Sequence, residues 1–315
     1  PQPTPVAART FGLSLAARQP TAAALAAALG PVLRDPALAS SSVVVRDVAT
    51  GAVLFSRDPS ASRMPASTTK LLSSRLVAQA FTPGETLTTS AVLTSSAGKT
   101  GSLVLVAGGD TLLSPGSGTP DAVAGHAGLG DLAAATATAL TAKGVSTVTL
   151  SADIRYAAGP ALAPTWDPTF PRQGIVTPVA MLGLASEREV AGKPSPQNPP
   201  LSALNAFAAR LGEHGIRASL GAKPFAGQAN PTLAPLASVT SAPVEAQLAL
   251  ALTDSDNGLT EVLARQAAWR QLDKPATVDF AAAGKAVVAA LAADGIPTAG
   301  VALVDASGLS REDRA

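Results

Sequence analysis

Cysteine is absent from the 315 residues. That excludes a disulfide framework, a thiol nucleophile and any thiolate metal site. Histidine occurs only twice, at His126 and His214, and neither has another plausible ligand spaced near it. Both read as loop or helix-surface residues rather than members of a Ser-His-Asp triad. Excess charge is missing too: 23 Lys and Arg against 22 Asp and Glu leave a formal net charge of +1. No long run of one sign occurs, which argues against nucleic acid or an anionic membrane as the main partner. No run of eighteen uncharged apolar residues is present, so no segment reads as a membrane-crossing helix. Aromatic residues make up 3% of the chain, and the core must therefore be built largely from Ala, Leu and Val. The length allows a sizeable core and two or more domains.

What is present centres on Pro65-Ala66-Ser67-Thr68-Thr69-Lys70-Leu71-Leu72. Leu71, Leu72, Leu76, Val77 and Ala80 follow at helical spacing, and Pro65 sits where a helix would begin. Serine and lysine three residues apart share one helix face, so the Lys70 amine is within reach of the Ser67 hydroxyl. The amine must be neutral to take that proton, which needs burial or a neighbouring cation. The free N–H groups and dipole of a helix N-terminus favour negative charge near Ser67. This is a setting for nucleophilic acyl transfer. A second Ser-x-x-Lys, Ser96-Ala97-Gly98-Lys99, contains a glycine and runs into Leu103, Val104, Leu105 and Val106. It reads as a turn entering a buried strand, where Ser96 and Lys99 need not face each other.

In chain order, residues 1–18 are proline-rich and irregular, and the opening Pro1-Gln2-Pro3-Thr4-Pro5 reads as a mature or trimmed start. Residues 22–33 read as an alanine-rich helix, and 42–48 with 52–56 as a β-hairpin around Ala49-Thr50-Gly51. From about Leu87 to Ser241 short strands (91–93, 103–107, 147–150) alternate with helices (132–143, 201–212), and Gly- and Pro-rich segments punctuate them. Helical patterning resumes at 243–253, 258–269 and 278–293, followed by a short strand over 301–304. The expected division is 1–86, an inserted region 87–241, and 242–315.

Between the helices expected at 243–253 and 258–269 lies Ser255-Asp256-Asn257, the only Ser-x-Asn in the chain. Short polar side chains on such a turn can project into a cleft. A hydroxyl could relay a proton there, and a carboxamide could hold Lys70 and a substrate amide. The plainer alternative is that Asp254 or Ser255 caps the following helix.

Together these residues resemble a known family. Pro65 to Lys70, Ser255-Asp256-Asn257 followed by Glu261 and Leu263, and Asp305 to Arg311 are similar to the penicillin-binding D-alanyl-D-alanine carboxypeptidases. The match is best to the low-molecular-mass class C group, peptidase family S13. The paired Ser-x-x-Lys and Ser-Asp-Asn motifs mark this class of enzyme. Gly108-Gly109-Asp110, Trp166-Asp167-Pro168 and Pro178-Val179-Ala180-Met181 are further family-like passages. Ser255 follows Lys70 by 185 positions, against about sixty in class A β-lactamases. Inserted domains would occupy the surplus. The nearest match to the Glu-x-x-Leu-Asn of those β-lactamases is Glu245-Ala246-Gln247-Leu248-Ala249, which lacks the asparagine and precedes the second motif.

The resemblance implies an α/β (α+β) fold with an antiparallel sheet flanked by helices, interrupted by inserted domains between the first two motifs. It implies a serine D-Ala-D-Ala carboxypeptidase acting on peptidoglycan stem peptides and acylated by β-lactams, outside the cytoplasm, with no cofactor or metal. Ser67 would be the nucleophile and Lys70 its base. Ser255 would relay the proton and Asn257 would position the substrate amide. Trp166, Asp167 and Asp256 are the candidate substrate contacts, Asp167 as partner for the ammonium of a diamino acid in the stem. A DD-endopeptidase, a serine β-lactamase and an inactive penicillin-binding-like scaffold are the alternatives. The third family motif is expected well after the second, so Lys99-Thr100-Gly101 reads as a decoy. The expectation follows that the true Lys-Thr-Gly lies beyond Ala315, with a companion fragment completing the sheet, and that 1–315 alone is inactive.

Overall fold

The computed structural model describes residues 20–315; the irregular opening read for residues 1–18 lies outside them. Residues 20–62 and 63–315 fall into separate compact units. In the first, α1 (Ala22–Leu33) starts at Thr21, whose hydroxyl accepts the Ala24 N–H, as an N-cap should. The hairpin follows as β1 (Val43–Arg46) and β2 (Val53–Arg57), paired antiparallel. Gly51 takes φ +71° in the connecting turn, a conformation glycine adopts without cost.

The second unit opens with a 3₁₀ turn over Ala66–Thr68 and then α2 (Thr69–Ala80). Ser67 therefore sits one turn before the α-helix proper. A five-stranded sheet follows, built from β3 (Thr88–Ala97), β4 (Thr100–Val106), β5 (Thr147–Asp153), β6 (Arg217–Leu220) and β7 (Ala237–Thr240). Its order is β6-β5-β4-β3-β7. The sheet is mixed: β3 pairs antiparallel with β4 and β7, while β4-β5 and β5-β6 are parallel. Each parallel step needs a crossover, and helices supply them: α3 (Leu129–Ala142) between β4 and β5, and α5 (Pro199–Glu213) between β5 and β6. The short α4 (Phe170–Gln173) lies in the long loop before α5.

The chain then runs through α6 (Val244–Asp254), α7 (Asn257–Gln271) and α8 (Phe280–Ala293). One apolar core lies against the sheet and includes Leu103, Leu105, Leu132, Leu150 and Phe207. A second joins α2 to the last three helices through Leu76, Val77, Val244, Leu263 and Val287. Helix α7 contributes to both, Val262 to the first and Leu263 to the second. It is buried on every side from Gly258 to Ala268, so its polar residues must find partners inside the protein.

Three elements differ from the pattern reading. The strand expected at 301–304 is a single bridge between Ala302 and Arg314. The neighbouring Val304 N–H goes to the Asp313 carboxylate instead of a ladder. Strands β6 (Arg217-Ala218-Ser219-Leu220) and β7 (Ala237-Ser238-Val239-Thr240) do alternate polar and apolar residues, but at four residues each the alternation is too short to stand out from the flanking loops.

Leu103 is fully buried at the centre of the sheet core. Leu103→Ala is expected to lower stability by about 2–5 kcal/mol, read as a shifted midpoint in urea denaturation.

Candidate active site

Ser67 enters its turn through Ala66, which holds φ +48°, a region that side chains other than glycine's rarely occupy. Gly308 packs directly against that backbone. A Cβ on Gly308 would meet the Ala66 carbonyl oxygen at 1.9 Å, and Gly308 itself has φ +79°. The loop Asp305-Ala306-Ser307-Gly308 thus clamps the turn that carries Ser67. Ser67 is exposed, whereas Lys70 one turn on is only 2% exposed.

Lys70 Nζ meets three oxygens from three stretches of chain. Ser67 Oγ lies at 3.2 Å, Asn257 Oδ1 at 2.6 Å and the Ser307 carbonyl at 2.9 Å. These match the three donors of an ammonium group. Burial is the largest influence on Lys70 and holds its pKa below the usual lysine range, against the pull of Glu189, Glu261, Asp305 and Asp256. A lowered lysine pKa raises the share of neutral amine that can act as a base.

Asn257 owes its place to the turn between α6 and α7. Ser255 ends α6 in the left-handed region at φ +55°. Asp256 is the N-cap of α7, its Oδ1 accepting the Leu259 N–H at 2.8 Å. Asn257 is then the first helical residue, with its amide oriented at both ends. Oδ1 faces Lys70, and Nδ2 donates to the Ile175 carbonyl at 2.7 Å. Ser67, Lys70 and Asn257 therefore converge. Ser255 is exposed and its hydroxyl makes no hydrogen bond to Ser67 or Lys70.

The carboxylates behind this set are spent on backbone. Glu189 accepts the N–H groups of both Asn257 and Gly258. Burial, then the charge of Asp256, pushes Glu189 up to about 7. Glu261 accepts the N–H groups of Ala306 and Ser307 at 3.0 and 2.8 Å, and burial with Asp305 nearby pushes it up to about 8. Asp305 accepts from Gly308 and Ser310 and from the Trp166 indole. Ser73 Oγ donates to the Ala306 carbonyl at 2.6 Å, tying α2 to the same loop. Glu189 carries no sequence motif, and its distance from α7 along the chain hides its part in holding the start of that helix.

Two of the expected substrate contacts have other work here. Trp166 is 6% exposed, donates from Nε1 to Asp305 at 2.7 Å and packs edge-on against Phe280. Its buried indole steadies the 305–308 loop and leaves little face for a ligand. Asp256 is 4% exposed, caps α7 and pairs with Arg188 at 2.8 Å. Asp167 is exposed, accepting from Thr169 and lying within the field of Arg311 and Arg172. Lys99 lies at the exposed β3–β4 turn, where Ala97 pairs with Thr100. Glu245 accepts the Gly84 N–H at the start of α6.

Residues 25–192 and 185–315 match the D-Ala-D-Ala carboxypeptidase 3 (S13) family. The carboxypeptidase DacB of Mycolicibacterium smegmatis is 32% identical over 321 residues, which cover 100% of this chain and 66% of that protein. A carboxypeptidase of Mycobacterium tuberculosis is 31% identical with the same coverage. The chain thus spans slightly under two thirds of the length of these curated relatives. Penicillin-binding protein 4 of Haemophilus influenzae aligns over 87% of this chain and 72% of its own, with a TM-score of 0.66 at 17% identity. That likeness is one of fold.

Two outcomes follow from this geometry. Glu189, Glu261 and Asp313 are pushed up to about 7, 8 and 7, so the folded chain keeps protons that unfolded carboxyls release near about pH 4. The folded state binds more protons across that window, and stability falls as pH rises from about 5 to about 8. Thermal unfolding should show a higher Tm at the acid end. Gly308→Ala should displace the Ser67 turn and cost about 1–3 kcal/mol, measured by chemical denaturation.

Proposed function

The chain belongs to the D-Ala-D-Ala carboxypeptidase 3 (S13) family, and on that premise we propose a serine D-Ala-D-Ala carboxypeptidase acting on peptidoglycan stem peptides outside the cytoplasm. The observation that carries this reading is the contact of Lys70 Nζ with Ser67 Oγ and Asn257 Oδ1. When Lys70 loses one proton, its two remaining N–H groups can stay on Asn257 Oδ1 and the Ser307 carbonyl. Its lone pair then faces the Ser67 hydroxyl. Neutralisation and orientation of the base are one event.

Ser67 Oγ attacks the carbonyl carbon of the penultimate D-alanine as Lys70 takes the hydroxyl proton. The Ser67 backbone N–H is assigned to the oxyanion, a role worth about 3–4 kcal/mol per donor. Collapse breaks the peptide C–N bond as the proton taken by Lys70 passes to the departing D-alanine amine; Ser255, which makes no hydrogen bond to Lys70, is the candidate relay once substrate lies between them. Water then attacks the acyl-enzyme and restores the serine. Asn257 aligns both Lys70 and the substrate amide, and Asp167 remains the candidate for the distal ammonium of a diamino acid. We assign residues 1–86 and 242–315 to one penicillin-binding domain interrupted by 87–241. The core that joins α2 to the last three helices supports pairing the α2 part of 1–86 with 242–315.

β-Lactams would acylate Ser67 and leave slowly. Glu189 and Glu261 commit oxygens to backbone N–H groups, and Glu245 is engaged with Gly84. None of these three is presented as a base for the deacylating water, which weighs against a β-lactamase.

The test is intact mass after penicillin treatment of the full-length protein. One added penicillin is expected, and none with Ser67→Ala. Lys70→Met should slow acylation by about 10²–10⁴-fold, the usual worth of a general base. Labelling that persists in Ser67→Ala would remove Ser67 as nucleophile.

A further inference from the structure

Helix α7 carries a second buried cation that the Ser67 chemistry does not use. Arg265 is 2% exposed and ranks among the largest fully buried side chains. Its Nη2 donates to the Pro160 carbonyl at 2.6 Å, and its guanidinium carbon lies 4.7 Å from the centre of the Phe280 ring. Its Nε is buried with no hydrogen-bond partner among the described residues. Among the described residues no carboxylate reaches ion-pairing distance of it; Glu261 and Asp279 act on it only from further away. A buried charge is normally paired, because desolvation otherwise costs several kcal/mol. One carbonyl and one aromatic face leave most of a five-donor fork unused.

The same side chain lines a cleft of about 350 Å³. Ile154, Val179, Met181 and Phe225 supply apolar wall. Arg155, also on the lining, is already paired with Asp153 at 2.6 Å, which leaves Arg265 as the unpaired cation. Gln197 and Asn198 also reach the lining, Asn198 being committed to capping α5. Largely apolar walls with a few polar groups, at this volume, are what small-molecule sites present. Ser67, Lys70, Ser255 and Asn257 take no part in the lining. Arg265 stands eight residues past Asn257 on α7, about 12 Å along the axis at the usual helical rise.

We propose that this cleft is a second binding site, separate from Ser67, which takes a carboxylate carried on an apolar body. The N–H groups of the guanidinium that Pro160 does not occupy can donate to a carboxylate at the cleft wall. The apolar walls select against small hydrophilic anions.

The probe is 4-fluorobenzoate, followed by fluorine NMR on the full-length protein, with neutral 4-fluorobenzamide as control. The acid should bind at least tenfold more tightly than the amide, and equally well to Ser67→Ala. Arg265→Met should abolish that preference. Ala161→Trp, at an exposed lining position, should block binding while leaving Arg265 in place, and it keeps the test decisive if Arg265→Met does not fold. Equal binding of acid and amide, or undiminished binding of the acid by Ala161→Trp, would overturn the proposal.

Discussion

The ammonium of Lys70 is buried among three oxygens that come from residues 67, 257 and 307, and most of the second unit is arranged to hold those three in place. A buried cation with even one acceptor missing would be costly. The acceptors lie on a 3₁₀ turn, a helix N-terminus and a loop, none of which positions itself. Each is therefore tied down by further contacts that have no chemistry of their own.

Helix α7 is the common support. Its first residue offers Asn257 to Lys70, and one turn later Glu261 gathers the N–H groups of Ala306 and Ser307. One rigid helix thereby fixes both the side-chain oxygen and the carbonyl oxygen that Lys70 meets. Glu189 secures the start of the helix, and Gln266 ties its middle to the Gly109 carbonyl at 3.1 Å. Gly109 suits that place because it holds φ +98° and because a Cβ would fall 2.1 Å from the Gln266 oxygen. The loop is closed from the other side by Asp305, which accepts from Trp166, Gly308 and Ser310.

This arrangement concentrates buried carboxylates around one lysine. Glu189 and Glu261 are both pushed upward by burial, which limits the negative charge that would otherwise hold the lysine protonated. The carboxyls serve mainly as acceptors for backbone N–H groups, and their titration couples the integrity of the loop to pH.

Local pattern was enough for the helices and for the central pair. Ser67 and Lys70 are three residues apart, and helical geometry alone places them together. The apolar spacing after Lys70 and the glycine turn of the β3–β4 hairpin are likewise written in neighbouring residues. Strands β6 and β7 and the single bridge at Ala302 were not, because four-residue pairings depend on what lies beside them. The true places of Trp166, Asp256 and Glu189 were hidden for the same reason. A tryptophan beside an aspartate looks the same in sequence whether its indole faces solvent or a buried Asp305 139 positions away. The residues by themselves thus determined which groups could react and on which short segments they sit. Only the tertiary structure decided which distant oxygens surround Lys70, since contacts across 187 and 237 positions follow from packing and leave no periodic mark on the chain.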